Sequence, residues 1–346
     1  MRSAISCMAR SIESLDGQDL WDMTWTCLFT ANGVTGREMD DTDLNLCQLL
    51  IANARRPQRE LADELGISVA GVHRRIQSLV DQKVVKGFTA NISSAYLHAV
   101  HAQVDGICEC QSVEGALDRL GAIGSVSSVL TSAANLTALT LILRRIEDLG
   151  PTVEQVRDIL RMPKPRVTIS TTIYVGANPI GKDFTSEREL SRIDYRIINS
   201  LHYNCRKPII DVADEIGITP KTARNRLELM EKEGLIEYNL NWEPARTAGA
   251  CFIIRIDLKP QVDRNEFINQ LNKRFGSRFL LTFAHSNEPD YVCGYCWAPT
   301  VAQHNDLVGA LKADEKVRDV RSGIVHSEWS LETWRDRLLK EKASGK

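Results

Sequence analysis

Several features that define other classes of protein are missing from this sequence. It contains no uncharged apolar run of about 18 residues, so we predict no membrane span. Acidic and polar residues interrupt the modest apolar stretch at the N-terminus, which lacks a secretory pattern, and we expect a cytoplasmic protein. The net charge of −2 argues against a protein that is basic all over. Positive charge confined to one face would still allow binding to nucleic acid.

The cysteines form no disulfide framework. Nine are scattered along the chain, mostly inside apolar runs, which is typical of reduced, buried thiols. Cys293 and Cys296 form a CxxC pair, a spacing that can hold zinc. They lie in a strand-like run, however, where residues three apart point to opposite faces. We therefore predict buried thiols here, with no metal site and no cofactor.

The sequence contains an internal repeat. The phrase ADELGIS at 62–68 returns as ADEIGIT at 213–219, 151 positions later. The same shift aligns further pairs without a gap, among them Asp43 and Asp194, Arg55 and Arg206, and Arg75 and Arg226. The period is far too long for a solenoid unit, so the repeat predicts duplicated domains or domain pairs. A chain of 346 residues has room for about two to four domains.

Each copy of the repeat predicts three helices with a glycine turn between the second and the third. In the first copy, apolar spacing predicts helices over about 43–53 and 58–65. Gly66 follows as a left-handed helix end, and Ser68 can cap the third helix. Two short helices, a tight turn and a third helix form a helix-turn-helix.

The second copy follows the same pattern. Gly217 marks its turn, and Thr219 followed by Pro220 is a strong helix start, because proline is favoured at the first helical position. The runs VVKGFTANI and LIEYNLNW follow the two third helices. They predict strands that would form wings.

The third helices carry the predicted contacts with DNA. Residues in the N-terminal half of such a helix enter the major groove, while lysine and arginine also neutralise phosphates. The predicted DNA-binding residues of the two copies are Ser68, His73, Arg74, Arg75, Lys83, Lys86, Thr219, Lys221, Thr222, Arg224, Asn225 and Arg226. A charged face is often only solvated surface. Two basic third helices, each after a glycine turn, favour a DNA reader.

After each reader the hydrophobic pattern alternates between strand and helix in the order βαββαβ. The predicted fold class is therefore α+β, with two tandem units, each a winged helix-turn-helix followed by a ferredoxin-like βαββαβ domain. The predicted domains of the first half are an N-terminal extension over 1–38, a reader over 39–93 and a βαββαβ domain over 97–176, with a linker over 177–189. Those of the second half are a reader over 190–243, a βαββαβ domain over 248–326 and a C-terminal helix over 327–346.

Taken together, these motifs resemble the Lrp/AsnC (feast/famine) transcription regulators. The resemblance rests on ADELGIS, RRIQSLVDQKVVKGF and the βαββαβ order, over 39–173 and 190–325. It implies a βαββαβ domain that dimerises and binds small effectors, often amino acids, at subunit interfaces. The usual member has one copy of each domain, so two copies imply an intramolecular pseudo-dimer, with further homo-oligomers open. Because the third helices differ at most outward positions, we predict double-stranded DNA sites with non-identical halves.

The resemblance also places an effector site at the loop between the second and third strands of the βαββαβ domain. In the family this turn is rich in glycine and in Asp or Asn, and Asp-Tyr follows it. The second copy keeps a related set, namely His285, Ser286, Asn287, Asp290 and Tyr291. An acid here could receive an amino group, and backbone donors could receive a carboxylate. A polar hairpin turn without a ligand is the alternative, and the sequence leaves it open.

The ends of the chain have no counterpart in the repeat. Residues 1–38 show no clear period, and a translation start at Met39 would remove them. The stretch 176–189 contains proline, glycine and mixed charge, which is typical of a linker. In the C-terminal tail, Trp329 and Trp334 predict a helix that docks on the core, since tryptophan buries a large apolar area.

An enzyme on the same architecture is the competing interpretation. The sirohaem decarboxylases resemble these regulators but act on tetrapyrroles, so fold does not decide function. Side chains that suit such chemistry are His98, His101, His285, His304, His326 and Tyr291. No acid–base or nucleophile constellation with diagnostic spacing accompanies them, and an enzyme has no need of two basic reading helices. We therefore predict a regulator without catalytic residues.

Overall fold

The computed structural model describes residues 39–132, 135–176, 178–180 and 187–345. The predicted extension over 1–38 lies outside the described residues, as does more than half of the predicted linker over 177–189. A helix with the length and apolarity to cross a membrane is not found in the part of the chain that is described.

Each half contains three helices, one strand and a βαββαβ series, as the repeat predicts. The elements of the first half are α1 Asp41–Ala52, α2 Gln58–Leu65, α3 Val69–Asp81, β1 Val85–Ile92, β2 Val100–Ile107, α4 Leu117–Ile123, β3 Val126–Ser132, β4 Leu136–Leu143, α5 Leu149–Leu160, β5 Arg166–Val175 and the short β6 Asn178–Ile180. The elements of the second half are α6 Arg192–Leu201, α7 Ile209–Ile216, α8 Pro220–Lys232, β7 Ile236–Trp242, β8 Ala250–Leu258, α9 Arg264–Phe275, β9 Phe279–His285, β10 Tyr291–Ala298, α10 Val301–Lys312, β11 Val317–Ser330 and α11 Trp334–Ser344.

Local side-chain signals set the ends of the reader helices. Gly66 and Gly217 end α2 and α7 in the left-handed region, with φ of 66° and 71°. Glycine adopts this conformation without steric strain. Ser68 and Thr219 cap α3 and α8 with their hydroxyl groups. The predicted turns and caps are confirmed.

The strand that follows each reader pairs with the strand that follows the other reader. β1 and β7 form a two-stranded antiparallel sheet, in which Phe88 lies opposite Leu240 and Ile92 opposite Ile236. The prediction of a strand at each place is confirmed, whereas the described residues of each half do not form a separate hairpin wing. A lone strand leaves backbone N–H and C=O groups unpaired, and the equivalent strand of the other half satisfies them.

The βαββαβ strands of both halves join in one closed ring, in the order β2-β4-β3-β11-β8-β10-β9-β5 and back to β2. β5 pairs with β2 of its own half through 166–169 and with β9 of the other half through 170–174. β11 pairs with β8 through 317–324 and with β3 through 325–330. Each final strand therefore belongs to both sheets.

Hydrophobic clusters lie on both faces of these sheets. One cluster fills the space between the two sheets and continues into the first reader. Others lie between each sheet and its own helices, and a further cluster joins the second reader to α11 and to β1 of the first half. Cys293 belongs to the inter-sheet cluster and Cys296 to the cluster beneath α9 and α10. The two residues of the CxxC pair thus point to opposite faces, as predicted.

The C-terminal segment differs from the helix predicted over 327–346. β11 continues to Ser330, so Trp329 lies in a strand that pairs with β3, and the helix begins only at Trp334. The pairing supplies backbone partners that an earlier helix would lose. The predicted docking is confirmed, because Trp334 is 8% exposed and its Nε1 donates to the carbonyl of Ile142 at 2.8 Å.

Candidate nucleic-acid interface

The reading helices α3 and α8 expose side chains of their N-terminal halves. In α3 these include His73 and Arg74, and in α8 Lys221, Arg224 and Asn225. Each helix begins at a capped residue, so its first turn is held in place. Basic and amide side chains on a well-held helix are the groups that contact phosphates and base edges in the major groove.

Three predicted DNA-binding residues also close the starts of these helices. Ser68 Oγ accepts a hydrogen bond from the Gly71 amide at 3.0 Å, and Thr219 Oγ1 accepts one from the Thr222 amide at 3.1 Å. The hydroxyls of Thr219 and Thr222 are also hydrogen-bonded to each other, at 2.8 Å. Ser68 and Thr219 remain exposed at helix N-termini, where a phosphate would find backbone donors.

Arg75 does not extend from the reading surface but turns back to the first helix of its own reader. Its Nη1 lies 2.8 Å from Asp40 Oδ2 and 2.6 Å from Asp43 Oδ1. Asp40 caps α1, and Asp43 is only 4% exposed. A buried carboxylate requires a partner, so this arginine holds α3 against α1.

Arg226 makes the equivalent contact in the second reader. Its Nη1 lies 3.1 Å from Asp194 Oδ1 and 3.0 Å from Ser191 Oγ, and Asp194 is fully buried at the start of α6. The structure thus pairs both Arg75 and Arg226 with carboxylates of their own readers, and a contact of either residue with DNA stays a prediction. The repeat contained a signal for this contact, since the same shift aligns both the aspartates and the arginines.

The ionised form of Asp194 is strongly stabilised. Burial alone would raise the pKa of this carboxyl, but hydrogen bonds from Ser191 and Arg226 and the charge of Arg188 outweigh it, and its pKa lies below the ordinary value. Arg188 Nη2 lies 3.0 Å from Asp194 Oδ2. Two arginines therefore converge on one carboxylate in the second reader.

The two lysines predicted for the first wing differ in their surroundings. Lys83 is exposed in the turn between α3 and β1, where its φ of 59° is left-handed. Lys86 Nζ lies 2.7 Å from Glu243 Oε2, and Arg246 Nε bonds the same oxygen at 2.5 Å. Lys83 can therefore reach a phosphate directly, whereas Lys86 would first have to leave Glu243.

Contacts that the sequence did not predict tie the two readers to each other. Arg55 Nη1 donates to the carbonyls of Cys205 and Lys207 in the second reader, the latter at 3.3 Å. Arg206 Nη2 donates to the carbonyl of Arg56 in the first reader at 3.1 Å. The repeat aligns Arg55 with Arg206, so these contacts are equivalent, but alignment alone does not show which residues meet.

The predicted effector loop docks on the other half of the molecule. The Ser286 amide donates to the Ile169 carbonyl at 2.9 Å. Asn287 Oδ1 accepts from the Ile169 amide and its Nδ2 donates to the Val167 carbonyl, both at 2.9 Å. These groups therefore continue the contact between β9 and β5 and are occupied by backbone.

The remaining effector candidates lie beside this contact. His285 is buried, which lowers its pKa to about 4, and its ring stacks on Tyr291 at 5.3 Å. The guanidinium of Arg166 lies 3.8 Å from the centre of the Tyr291 ring and pairs with Glu288. The Asp290 carbonyl accepts from an amide at the end of β8 at 2.7 Å. The structure thus brings His285 and Tyr291 together next to Arg166, which the sequence did not single out.

The other histidines proposed for tetrapyrrole chemistry are distributed among different elements. They are His98 before β2, His101 in β2, His304 in α10 and His326 in β11. His304 stacks on Phe252 at 3.6 Å, and burial lowers its pKa to about 4. Its Nε2 is hydrogen-bonded to the Ser322 hydroxyl at 3.0 Å, so this side chain is part of the core.

Comparison with known proteins agrees with the two readers. A winged helix-turn-helix DNA-binding family matches residues 39–86 and 190–237. The HTH-type transcriptional regulator Ptr1 of Methanocaldococcus jannaschii is 30% identical over 114 residues, which cover 32% of this chain and 77% of Ptr1. The HTH-type transcriptional regulator LrpA of Pyrococcus horikoshii is 29% identical over 69 residues, 20% of this chain and 49% of LrpA. The chain therefore spans most of Ptr1 and about half of LrpA.

Among solved structures, the siroheme decarboxylase NirDL matches with a TM-score of 0.53 and 13% identity, over 87% of this chain and 98% of that one. At this identity the likeness shows the fold alone. The family is shown by the two matched readers and by the match to most of Ptr1. The chain belongs to the Lrp/AsnC family of winged helix-turn-helix transcription regulators, with two units fused in tandem.

Proposed function

We propose that this chain is a sequence-specific transcription regulator that engages one double-stranded DNA site with both readers at once. The observation that carries the proposal is the coupling of the readers. β1 pairs with β7, and Arg55 and Arg206 bind carbonyl groups across the same junction. Two reading helices held in this way form an intramolecular pseudo-dimer, and helix-turn-helix dimers reach two half-sites on one face of the duplex.

The side chains at the starts of the reading helices support half-sites of different sequence. In α8, Arg224 and Asn225 suit guanine and adenine, the bases that arginine and asparagine contact through paired hydrogen bonds. In α3, the exposed Val69 and Ala70 offer apolar contact to a thymine methyl group. We therefore assign one half-site to each reader.

Selection of binding sites from a random DNA library tests this function. We expect enrichment of a site with two different halves, spaced by about one helical turn of 10 bp or a multiple of it. Replacing Lys221, Arg224 and Asn225 together with alanine should erase sequence preference in one half only. Arg145→Ala is the matched control, since Arg145 is 72% exposed next to α5 and outside both readers.

Two outcomes would overturn the proposal. Perfect palindromes as the selected sites would contradict two different readers. Sequence-specific recognition itself would be contradicted if no sequence is enriched and if the affinity for the best selected site exceeds that for random DNA by less than about a thousandfold.

We further propose that the chain has no enzymatic activity of its own. Its exposed basic reading helices and the dispersal of its histidines among different elements support this view. The test is incubation with sirohaem, followed by mass spectrometry of the tetrapyrrole. Unchanged substrate alongside specific DNA binding is the expected result, and loss of carboxyl groups from the tetrapyrrole would establish an enzyme on this fold.

A further inference from the structure

A cavity of about 120 Å³ lies between the two sheets. Its walls include Leu130 and Ala138 from the first half and Ile253, Leu281 and Phe283 from the second. One water occupies roughly 10–15 Å³ of such space, so the cavity has room for an organic molecule of several non-hydrogen atoms. None of the predicted effector residues lines it.

The carboxylate of Glu328 has no cationic partner among the described residues, unlike those of Asp105 and Glu243. Glu328 of β11 lines the cavity, and its Oε2 accepts a hydrogen bond from the Tyr295 hydroxyl at 3.0 Å. Within the described residues no lysine, arginine or histidine lies within 4.0 Å of this carboxylate. Lys86 is the cation nearby that affects it, and Lys86 is already paired with Glu243.

The opposite polar part of the cavity is electrically balanced. Arg255 Nη2 lies 3.1 Å from Asp105 Oδ2, and the two side chains are 12% and 13% exposed. Arg255 Nε has no hydrogen-bond partner within the described residues, so Asp105 satisfies only part of this guanidinium. One arginine and two carboxylates, Arg255, Asp105 and Glu328, line the cavity, so its net charge is −1 when Glu328 is ionised, which favours a cationic ligand such as an amine.

We propose that the cavity binds a small primary ammonium ion with a short apolar body, with Glu328 as its counter-ion and the inter-sheet side chains around its chain. An ammonium head supplies three hydrogen-bond donors and a cationic partner for the Glu328 carboxylate, and its alkyl chain would displace water from an apolar surface. Burial raises the pKa of Glu328 to about 7, so the carboxylate form is present when the pH is above neutrality.

The cavity also contacts the junction between the readers. Trp242, the last residue of β7, lines it, and Trp242 lies opposite Val85 at the start of β1. An occupant would therefore touch the strand pair that sets the relative placement of the readers. Binding of the amine stands on the cavity alone, whereas any effect on DNA affinity rests on the proposed function.

Calorimetric titration of the full chain with n-butylammonium chloride, at about pH 8, tests the site. n-Butanol, which has the same apolar chain without the charge, is the control ligand. We expect saturable binding of one amine and binding of butanol that is weaker by about tenfold or more. Glu328→Gln should remove most of the preference for the amine. Glu332→Gln, at a carboxylate that pairs with Lys340 and does not line the cavity, should leave it unchanged.

A second variant keeps the test decisive if Glu328→Gln alters the fold. Ala138→Leu adds volume inside the cavity and should weaken the amine and the alcohol alike. The proposal is overturned if butylammonium shows no saturable heat, or if Glu328→Gln binds it within about twofold of the wild type. Calorimetry with the amine and selection of DNA sites are independent measurements, so the two proposals can fail separately. Loss of amine binding with intact DNA binding overturns only the cavity site, and the converse result overturns only the reader.

Discussion

The two readers share their internal contacts and differ on their outer faces. In both, an aspartate near the start of the first helix pairs with an arginine of the third helix, Asp43 with Arg75 and Asp194 with Arg226. The exposed start of α3 is partly apolar, whereas that of α8 is basic and polar. The contacts that build a reader and the exposed side chains that we propose to read DNA therefore lie on different residues, although both sets include arginines of the same helix.

The readers also differ in how they rest on the remainder of the molecule. The first reader lies on the sheet of the second half, where Gln48 Nε2 donates to the Phe279 carbonyl at 2.8 Å. The second reader packs on α11, whose first residue Trp334 is bound to the first half. Each reader is thus supported by the opposite half, one directly and the other through the C-terminal helix.

Removal of the buried carboxylates should give the largest difference between the readers. Asp194→Ala removes the buried carboxylate that Arg188 and Arg226 share and leaves Arg188 paired with Glu233, and we expect a loss of about 3–5 kcal/mol in unfolding free energy. Asp43→Ala should lower it by less, about 1–3 kcal/mol, because Asp40 still pairs with Arg75. Urea unfolding followed by circular dichroism measures both, and equal losses would show that the second arginine adds nothing.

Removal of exposed arginines should separate the two half-sites. Arg224→Ala is expected to weaken DNA binding by about 1–3 kcal/mol and to relax sequence preference only in the half-site of α8. Arg74→Ala should relax preference or weaken phosphate contact only on the side of α3. Fluorescence anisotropy with duplexes mutated in one half at a time measures the effect. If both variants relax the same half, the assignment of one half-site to each reader is wrong.

Acid should remove the stability that the charge of Asp194 contributes to the second reader. The folded-state pKa of Asp194 is depressed, so its contribution to stability is present above the unfolded value of about 3.9 and is lost as the pH falls through the lower folded value. At neutral pH we expect the wild type to exceed Asp194→Asn by about 1–2 kcal/mol in unfolding free energy. The gap should shrink as the pH falls below about 4. A gap independent of pH would contradict a role for the charge.

The smallest effect is expected at the junction of the readers. Arg55→Ala should lower the unfolding free energy by about 1 kcal/mol, because it removes hydrogen bonds to backbone carbonyls. Arg206→Ala should lower it by about 0.5 kcal/mol more, since this guanidinium also lies 4.9 Å from the centre of the Phe88 ring. Thermal unfolding of the two variants side by side measures the difference, and a larger effect of Arg55→Ala would reverse this ranking.

The sequence allowed prediction of the elements whose signals are local. The turns at Gly66 and Gly217, the caps at Ser68 and Thr219 and the order βαββαβ each depend on residues a few positions apart. The pairing of β1 with β7 could not be predicted in this way, because a strand pattern shows that a partner is needed but not which strand supplies it.

The candidate site shows the same limit. The ion pair of Arg75 could not be predicted, because a helical pattern predicts the face on which a residue lies, not the distant carboxylate to which a long side chain can return. The cavity at Glu328 depends on strands from both halves, and β11 itself changes partner along its length. Such a site becomes visible only when the register of every strand is known.

The closed ring of strands has a consequence for how the amount of protein relates to the occupancy of a DNA site. A regulator built from separate subunits must first associate, so at low concentration its paired form falls with the square of the total. Here β5 and β11 join both halves of a single chain in one ring of paired strands. The effective concentration at which one half meets the other is therefore independent of dilution. Occupancy of a promoter by this chain would then rise in direct proportion to the number of molecules, from the first copy synthesised.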